Sequence, residues 1–86
     1  QLLPPAEGGR HSPISLNGTY RPHIKANTGP YLGVVIRSET AATLNPGEKA
    51  PVLLDLPYDI DYSALTSGTT FTILEGPHTV GSGKIS

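Results

Sequence analysis

Three histidines (His11, His23 and His78) and the acids Asp55, Asp59 and Asp61 are the side chains best suited to hold a metal or move a proton. Their spacing argues against both. No two histidines stand at i,i+4, and no short-spaced donor set of the kind that zinc sites use is present. The chain has no cysteine, which removes thiolate metal sites, disulfides and a sulfur nucleophile together. A Ser-His-Asp arrangement needs a serine presented on a strained turn, and no Gly-x-Ser-x-Gly segment offers one. Gly81-Ser82-Gly83-Lys84 has the outline of a phosphate loop, but its required earlier glycine is His78 and the hydroxyl residue after the lysine is Ile85. That segment also patterns as a strand, not as the start of a helix. The expectation is a chain with no catalytic residues, no metal, no cofactor and no bound nucleotide.

Two further groups could bind rather than react. Arg10, in Gly8-Gly9-Arg10-His11, is either a fork for phosphate or carboxylate or a pin for its own loop through backbone carbonyls. Glu75-Gly76 either offers a backbone N–H to a ligand or turns a hairpin, with glycine supplying the unusual φ. Asn17-Gly18-Thr19 matches the N-glycosylation pattern; without a secretion signal it reads as an Asn-Gly turn.

These residues must be positioned by a small frame. Eighty-six residues make one domain, which buries roughly 60–65% of its unfolded surface. The net charge of −1 sets up no global field toward nucleic acid, so RNA contact would rest on a local patch. No apolar run of about 18 residues and no basic leader precede or interrupt the chain, so a cytoplasmic protein without a membrane span is expected. Methionine is absent and the first residue is glutamine, so the chain is expected to be an excised domain or to lack preceding residues.

Ten glycines and nine prolines punctuate the sequence, and no stretch sustains a 3.6-residue apolar period, so the fold is predicted to be all-β. Residues 1–3 read as the tail of a strand whose beginning is missing, and residues 4–19 as a loop. Residues 20–26 form a strand that Pro22 confines to an edge or to its start. Residues 31–37 form the clearest strand, with Leu32, Val34 and Ile36 on one face and Tyr31, Gly33, Val35 and Arg37 on the other. Asn45-Pro46-Gly47-Glu48 predicts a type II turn. Residues 50–56, apolar on both faces, predict a strand in the middle of the fold. Residues 70–75 and 78–85 pair across Gly76-Pro77, and Ser63-Ala64-Leu65 forms one helical turn. Val34, Ile36, Leu54, Phe71 and Ile73 are predicted to point inward.

Read together and in order, several segments resemble a known family. Glu7-Gly8-Gly9-Arg10-His11-Ser12-Pro13 is followed by Tyr20-Arg21-Pro22-His23, Tyr31-Leu32-Gly33-Val34-Val35 and Asn45-Pro46-Gly47-Glu48. The ending runs from Thr70 through Glu75-Gly76 to Gly83. This set is similar to the third, C-terminal domain of elongation factor Tu, the GTPase that carries aminoacyl-tRNA to the ribosome. The resemblance covers essentially the whole chain and implies a single closed six-stranded antiparallel β-barrel over residues 1–86, with the start of its first strand missing. It implies a translation-related docking module that contacts tRNA or a protein such as another translation factor, with no nucleotide bound by this chain alone. The tRNA contacts it nominates are Arg10, His23, Leu32, Glu75 and Gly76. The protein contacts are Glu7, Arg10, His11, Tyr20 and Arg21.

The departures from the family pattern fall on the RNA contacts. His23 stands where glutamine is usual, Leu32 where threonine is usual, Asp61 near an expected basic residue, Leu74 for an arginine, and Pro77-His78 for Gly-Arg. Grip on an RNA helix needs cations and hydrogen-bonding groups at phosphates and 2′-hydroxyls. The tRNA site is therefore expected to be weakened. The alternative is that the chain is the C-terminal part of a longer translational GTPase that delivers aminoacyl-tRNA, and upstream sequence carrying a phosphate loop would distinguish the two.

Overall fold

Proline and glycine cut this chain into strands too short to form one long ladder. The computed structural model describes residues 1–3, 6, 8–26 and 29–86. Among them are eight strands: β1 (Ile14–Ser15), β2 (His23–Ala26), β3 (Leu32–Gly33), β4 (Val35–Arg37), β5 (Thr43–Leu44), β6 (Leu53–Asp55), β7 (Thr70–Glu75) and β8 (His78–Lys84). No α-helix occurs among the described residues, and the fold is all-β. It follows that no helix there is long and apolar enough to cross a membrane.

The strands fall into three antiparallel sheets, β3-β2-β7-β8, β1-β5 and β4-β6. They do not join into one closed ladder among the described residues, which is where the structure departs from the closed six-stranded barrel expected. Pro22 explains one of the interruptions. Val34 N–H donates to the Pro22 carbonyl at 3.1 Å and Ile36 N–H to the Tyr20 carbonyl at 3.1 Å, so the pairing continues past β2. Proline has no N–H with which to return a bond, so the ladder there runs one way only. The single strand expected over residues 31–37 is split for the same reason into β3 and β4, which pair with different partners.

Alternation nevertheless holds across that split. Leu32, Val34 and Ile36 are buried on one face, with Phe71 and Ile73 from β7 and Val80 from β8. Leu54 is partly buried against this cluster. On the other face Gly33 and Val35 are buried as well, while Tyr31 is exposed. The Tyr62 hydroxyl donates to the Gly33 carbonyl at 2.7 Å, and the Tyr58 ring lies where a Cβ on residue 33 would sit.

Three other expectations are corrected. β6 is an edge strand and Leu53 is 43% exposed, so residues 50–56 do not run through the middle of the fold. Its doubly apolar pattern marks the rim of a cavity instead. The span 4–19 was expected to be plain loop, yet Ile14 and Leu16 are among the most buried residues and β1 lies within it. Residues 62–65 make a hydrogen-bonded turn, Leu65 N–H to the Tyr62 carbonyl at 3.0 Å, in place of the helical turn expected.

The turns agree with expectation. Gly47 has φ 86° and Glu48 N–H donates to the Asn45 carbonyl at 3.0 Å, as a type II turn requires. Gly76 has φ 60° in the β7–β8 connection, and that hairpin matches the predicted spans to within one residue. The Asn17 side chain accepts bonds from the backbone N–H and the hydroxyl of Thr19, closing the Asn-Gly turn.

Candidate binding site at one end of the main sheet

β7 ends at Glu75, and this carboxylate collects the side chains that the sequence singled out. The Tyr20 hydroxyl donates to Glu75 Oε2 at 2.6 Å, and Arg10 Nη1 donates to the same oxygen. The Arg10 guanidinium also lies 5.5 Å from the centroid of the Tyr20 ring, within cation–π range. Three residues separated by up to 65 positions thus form one half-buried knot. The remaining donors of Arg10 turn inward on its own loop. Nε donates to the Ser12 carbonyl at 3.2 Å, and Nη2 to the Ser12 hydroxyl at 3.2 Å and the Pro13 carbonyl at 3.4 Å. Arg10 thus both pins its own loop through backbone carbonyls and pairs with a carboxylate of the same chain.

The charges respond to that arrangement. Burial pulls the Arg10 pKa down, but the hydrogen bond and charge of Glu75 more than offset it, so the guanidinium is held more firmly protonated. Burial is the largest cause pushing the Tyr20 phenol above its ordinary 10.0, followed by the hydrogen bond and charge of Glu75. Arg10 acts the other way and does not cancel these. Tyr20 is therefore a donor, not a proton-transfer group, at neutral pH.

A pH dependence follows. A phenol held protonated by the fold contributes stability that is fully present below the unfolded pKa of about 10 and is lost as pH rises through the higher folded value. Urea denaturation of the wild type should show falling stability above about pH 10. Tyr20→Phe should be less stable at pH 7 but should lose less as pH rises. Equal slopes in the two proteins would mean that Tyr20 titrates as it does in the unfolded chain.

Beside the knot, His23, Tyr31, Gly76 and Pro77 line a shallow cleft of about 410 Å³. His23 is exposed at the start of β2, in register with Leu74 and Gly33. Lys25 Nζ sits 5.1 Å from the centroid of the Tyr31 ring, which is 57% exposed. Tyr31 and Lys25 were not among the site residues read from the sequence. The only signal was their place on the outward side of two strands, which does not say that they meet.

The other nominated residues divide clearly. His11 and Arg21 are exposed. Leu32 is 3% exposed and packs in the core, so it is not a contact residue. Glu7 lies outside the described residues. Asp61 is exposed, and the hydroxyl and then the backbone N–H of Ser63 hold its carboxyl below the usual range. Among the described residues, no three His, Asp or Glu side chains converge closely enough to hold a metal. No model of a known protein family matches the chain.

Proposed function

We propose that this chain is a non-catalytic docking module of the elongation factor Tu C-terminal domain type. It contacts a protein of the translation machinery through the surface around Arg10 and Tyr20, and tRNA only weakly. The observation that carries this reading is the meeting of Arg10, Tyr20 and Glu75, one residue from each of three motifs that are far apart in sequence. A built, half-buried knot of this kind fixes the shape of a surface more than it offers free charge. The barrel reading is supported by backbone bonds that bridge the separate sheets, from Val34 to Pro22, Ile36 to Tyr20, Ser38 to Leu16 and Leu2 to Glu48.

The protein-contact reading is favoured over a tight tRNA site for an electrostatic reason. Arg10 is neutralised by Glu75, and Leu32, Asp61 and Pro77 stand where the resemblance calls for polar or basic contacts. A hydrogen bond to a charged group is worth about 1.5–3 kcal/mol, so three missing contacts lower affinity by several orders of magnitude. What cationic character remains comes from Lys25 and Arg21.

A gel-shift titration with aminoacyl-tRNA at low and moderate salt tests the reading. Binding should be weak and should fade as salt rises. Arg10→Ala should lower it more than Lys25→Ala does, because the first removes a cation and also uncovers the Glu75 carboxylate. Sub-micromolar binding at moderate salt that Arg10→Ala leaves unchanged would overturn the proposal.

A further inference from the structure

The chain has three asparagines, and each precedes a different kind of residue. Asn45 precedes Pro46, which has no N–H. Asn27 precedes Thr28, whose β-branched side chain crowds the adjoining backbone. Asn17 precedes Gly18, which has no side chain at all. The difference governs one reaction. The backbone nitrogen after an asparagine can attack the side-chain amide carbon and close a cyclic imide, provided that it carries a proton to lose and is not hindered.

The surroundings of Asn17 favour that attack. Asn17 is exposed, so water reaches it. Its Oδ1 accepts a bond from the Thr19 hydroxyl at 2.7 Å and another from the Thr19 backbone N–H at 3.2 Å. A backbone N–H can only donate, which fixes the oxygen of the amide, and not its nitrogen, toward Thr19. Two donors on that oxygen draw electron density from Cγ and stabilise the charge that the oxygen takes up on attack, as the donors of an oxyanion hole do. Gly18 has φ 99°, and a Cβ there would meet nothing within 4 Å, so the space around the nucleophile is open. Its N–H makes no hydrogen bond among the described residues. The turn is also held at both ends. Leu16 N–H donates to the Ala42 carbonyl at 2.8 Å, Ser38 N–H to the Leu16 carbonyl at 3.0 Å, and Ile36 N–H to the Tyr20 carbonyl at 3.1 Å. Fixed ends keep the reacting groups near one another.

We propose that Asn17 is a modification site, at which the chain converts its own asparagine to aspartate and isoaspartate with Thr19 as the activating residue. The Gly18 nitrogen gives its proton to hydroxide and forms a bond to Cγ of Asn17. The bond from Cγ to Nδ2 breaks, and that nitrogen takes a proton from water and leaves as ammonia. Water then opens the imide at either of its carbonyls, which gives aspartate or isoaspartate. The sum is one water consumed and one ammonia released. Either product places a new carboxylate on this turn. The isoaspartyl form also lengthens the backbone between Leu16 and Tyr20, whose hydroxyl is bound to Glu75. The reaction rests on the turn and holds whether or not the chain docks on a translation protein.

The test incubates the folded 86-residue protein in mildly alkaline buffer at physiological temperature and follows it by peptide mapping with mass spectrometry. Asn17 should convert first, to a mixture of aspartate and isoaspartate, while Asn27 and Asn45 stay as amides. Thr19→Val removes the hydroxyl donor and keeps the backbone N–H, and it should slow conversion about two- to tenfold, the span of one net hydrogen bond. Thr19→Ser restores the hydroxyl and should react at the wild-type rate. Thr19 is exposed and its side chain bonds only to Asn17 among the described residues, so both variants should melt with the wild type. An intact Asn17 after prolonged incubation, or conversion of Asn27 or Asn45 at an equal rate, would overturn the proposal. So would a Thr19→Val protein as fast as the wild type, or a Thr19→Ser protein as slow as Thr19→Val.

Discussion

Phe71→Ala should cost about 3–5 kcal/mol and leave the domain largely unfolded at ordinary temperature. The reason is the share of the core that this ring supplies. Phe71 is the chain's single phenylalanine, is 7% exposed, and sits on β7 opposite Ala26 on one neighbour and Gly83 on the other. Both facing residues are small, so neither can fill the space that the ring vacates. Domains of this kind are stable by only about 5–15 kcal/mol in total, and short chains lie toward the low end. Urea denaturation followed by circular dichroism gives the difference directly. A loss below about 1 kcal/mol would mean that the ring contributes no more than an ordinary surface residue.

Gly83→Ala should destabilise by about 1–3 kcal/mol, while Gly33→Ala should cost distinctly less. A Cβ on residue 83 would lie 2.5 Å from Cζ of Phe71, and one on residue 33 would lie 2.6 Å from Cε2 of Tyr58. The two collisions are similar in distance and different in consequence. Phe71 is 7% exposed and can move only by giving up core contacts, whereas Tyr58 is 51% exposed and can swing into solvent. Thermal melts of the two variants side by side check this, and equal losses would show that Tyr58 is held as firmly as Phe71. The comparison also bears on Gly81-Ser82-Gly83-Lys84. The glycine at 83 admits a ring, which gives it a packing role that owes nothing to phosphate binding.

The Arg10 knot shows how a site can be half legible. Arg10, Tyr20 and Glu75 could each be picked out by residue type and by the motif that surrounds it. Their convergence on one carboxylate oxygen depends on β2 pairing with β7, which carries His23 opposite Leu74 and so brings Tyr20 toward the end of β7. Lys25 and Tyr31 meet through the β2–β3 pairing in the same way. Neither pair is close in sequence in a way that signals contact.

The sequence by itself determined what is local or periodic. Glycine and proline at 45–48 and 76–77 fix turns because φ is a property of the residue, and both turns stand as read. Alternation over residues 32–36 and 71–73 fixes which side chains join the main core cluster, because side chains on a strand point to opposite sides whatever the strand pairs with. The all-β class follows from the same two signals. Only the tertiary structure decided which edges meet. It buried Ile14 and Leu16 inside a segment whose composition reads as loop, because a short chain must draw its core from wherever apolar residues can reach. It left Leu53 at an edge despite its doubly apolar neighbourhood, because hydrophobic pattern records what could be covered and not what covers it. It also set Arg10 against Glu75, since a cation's partner is chosen by the strand register that delivers it and not by the residues beside it in the chain.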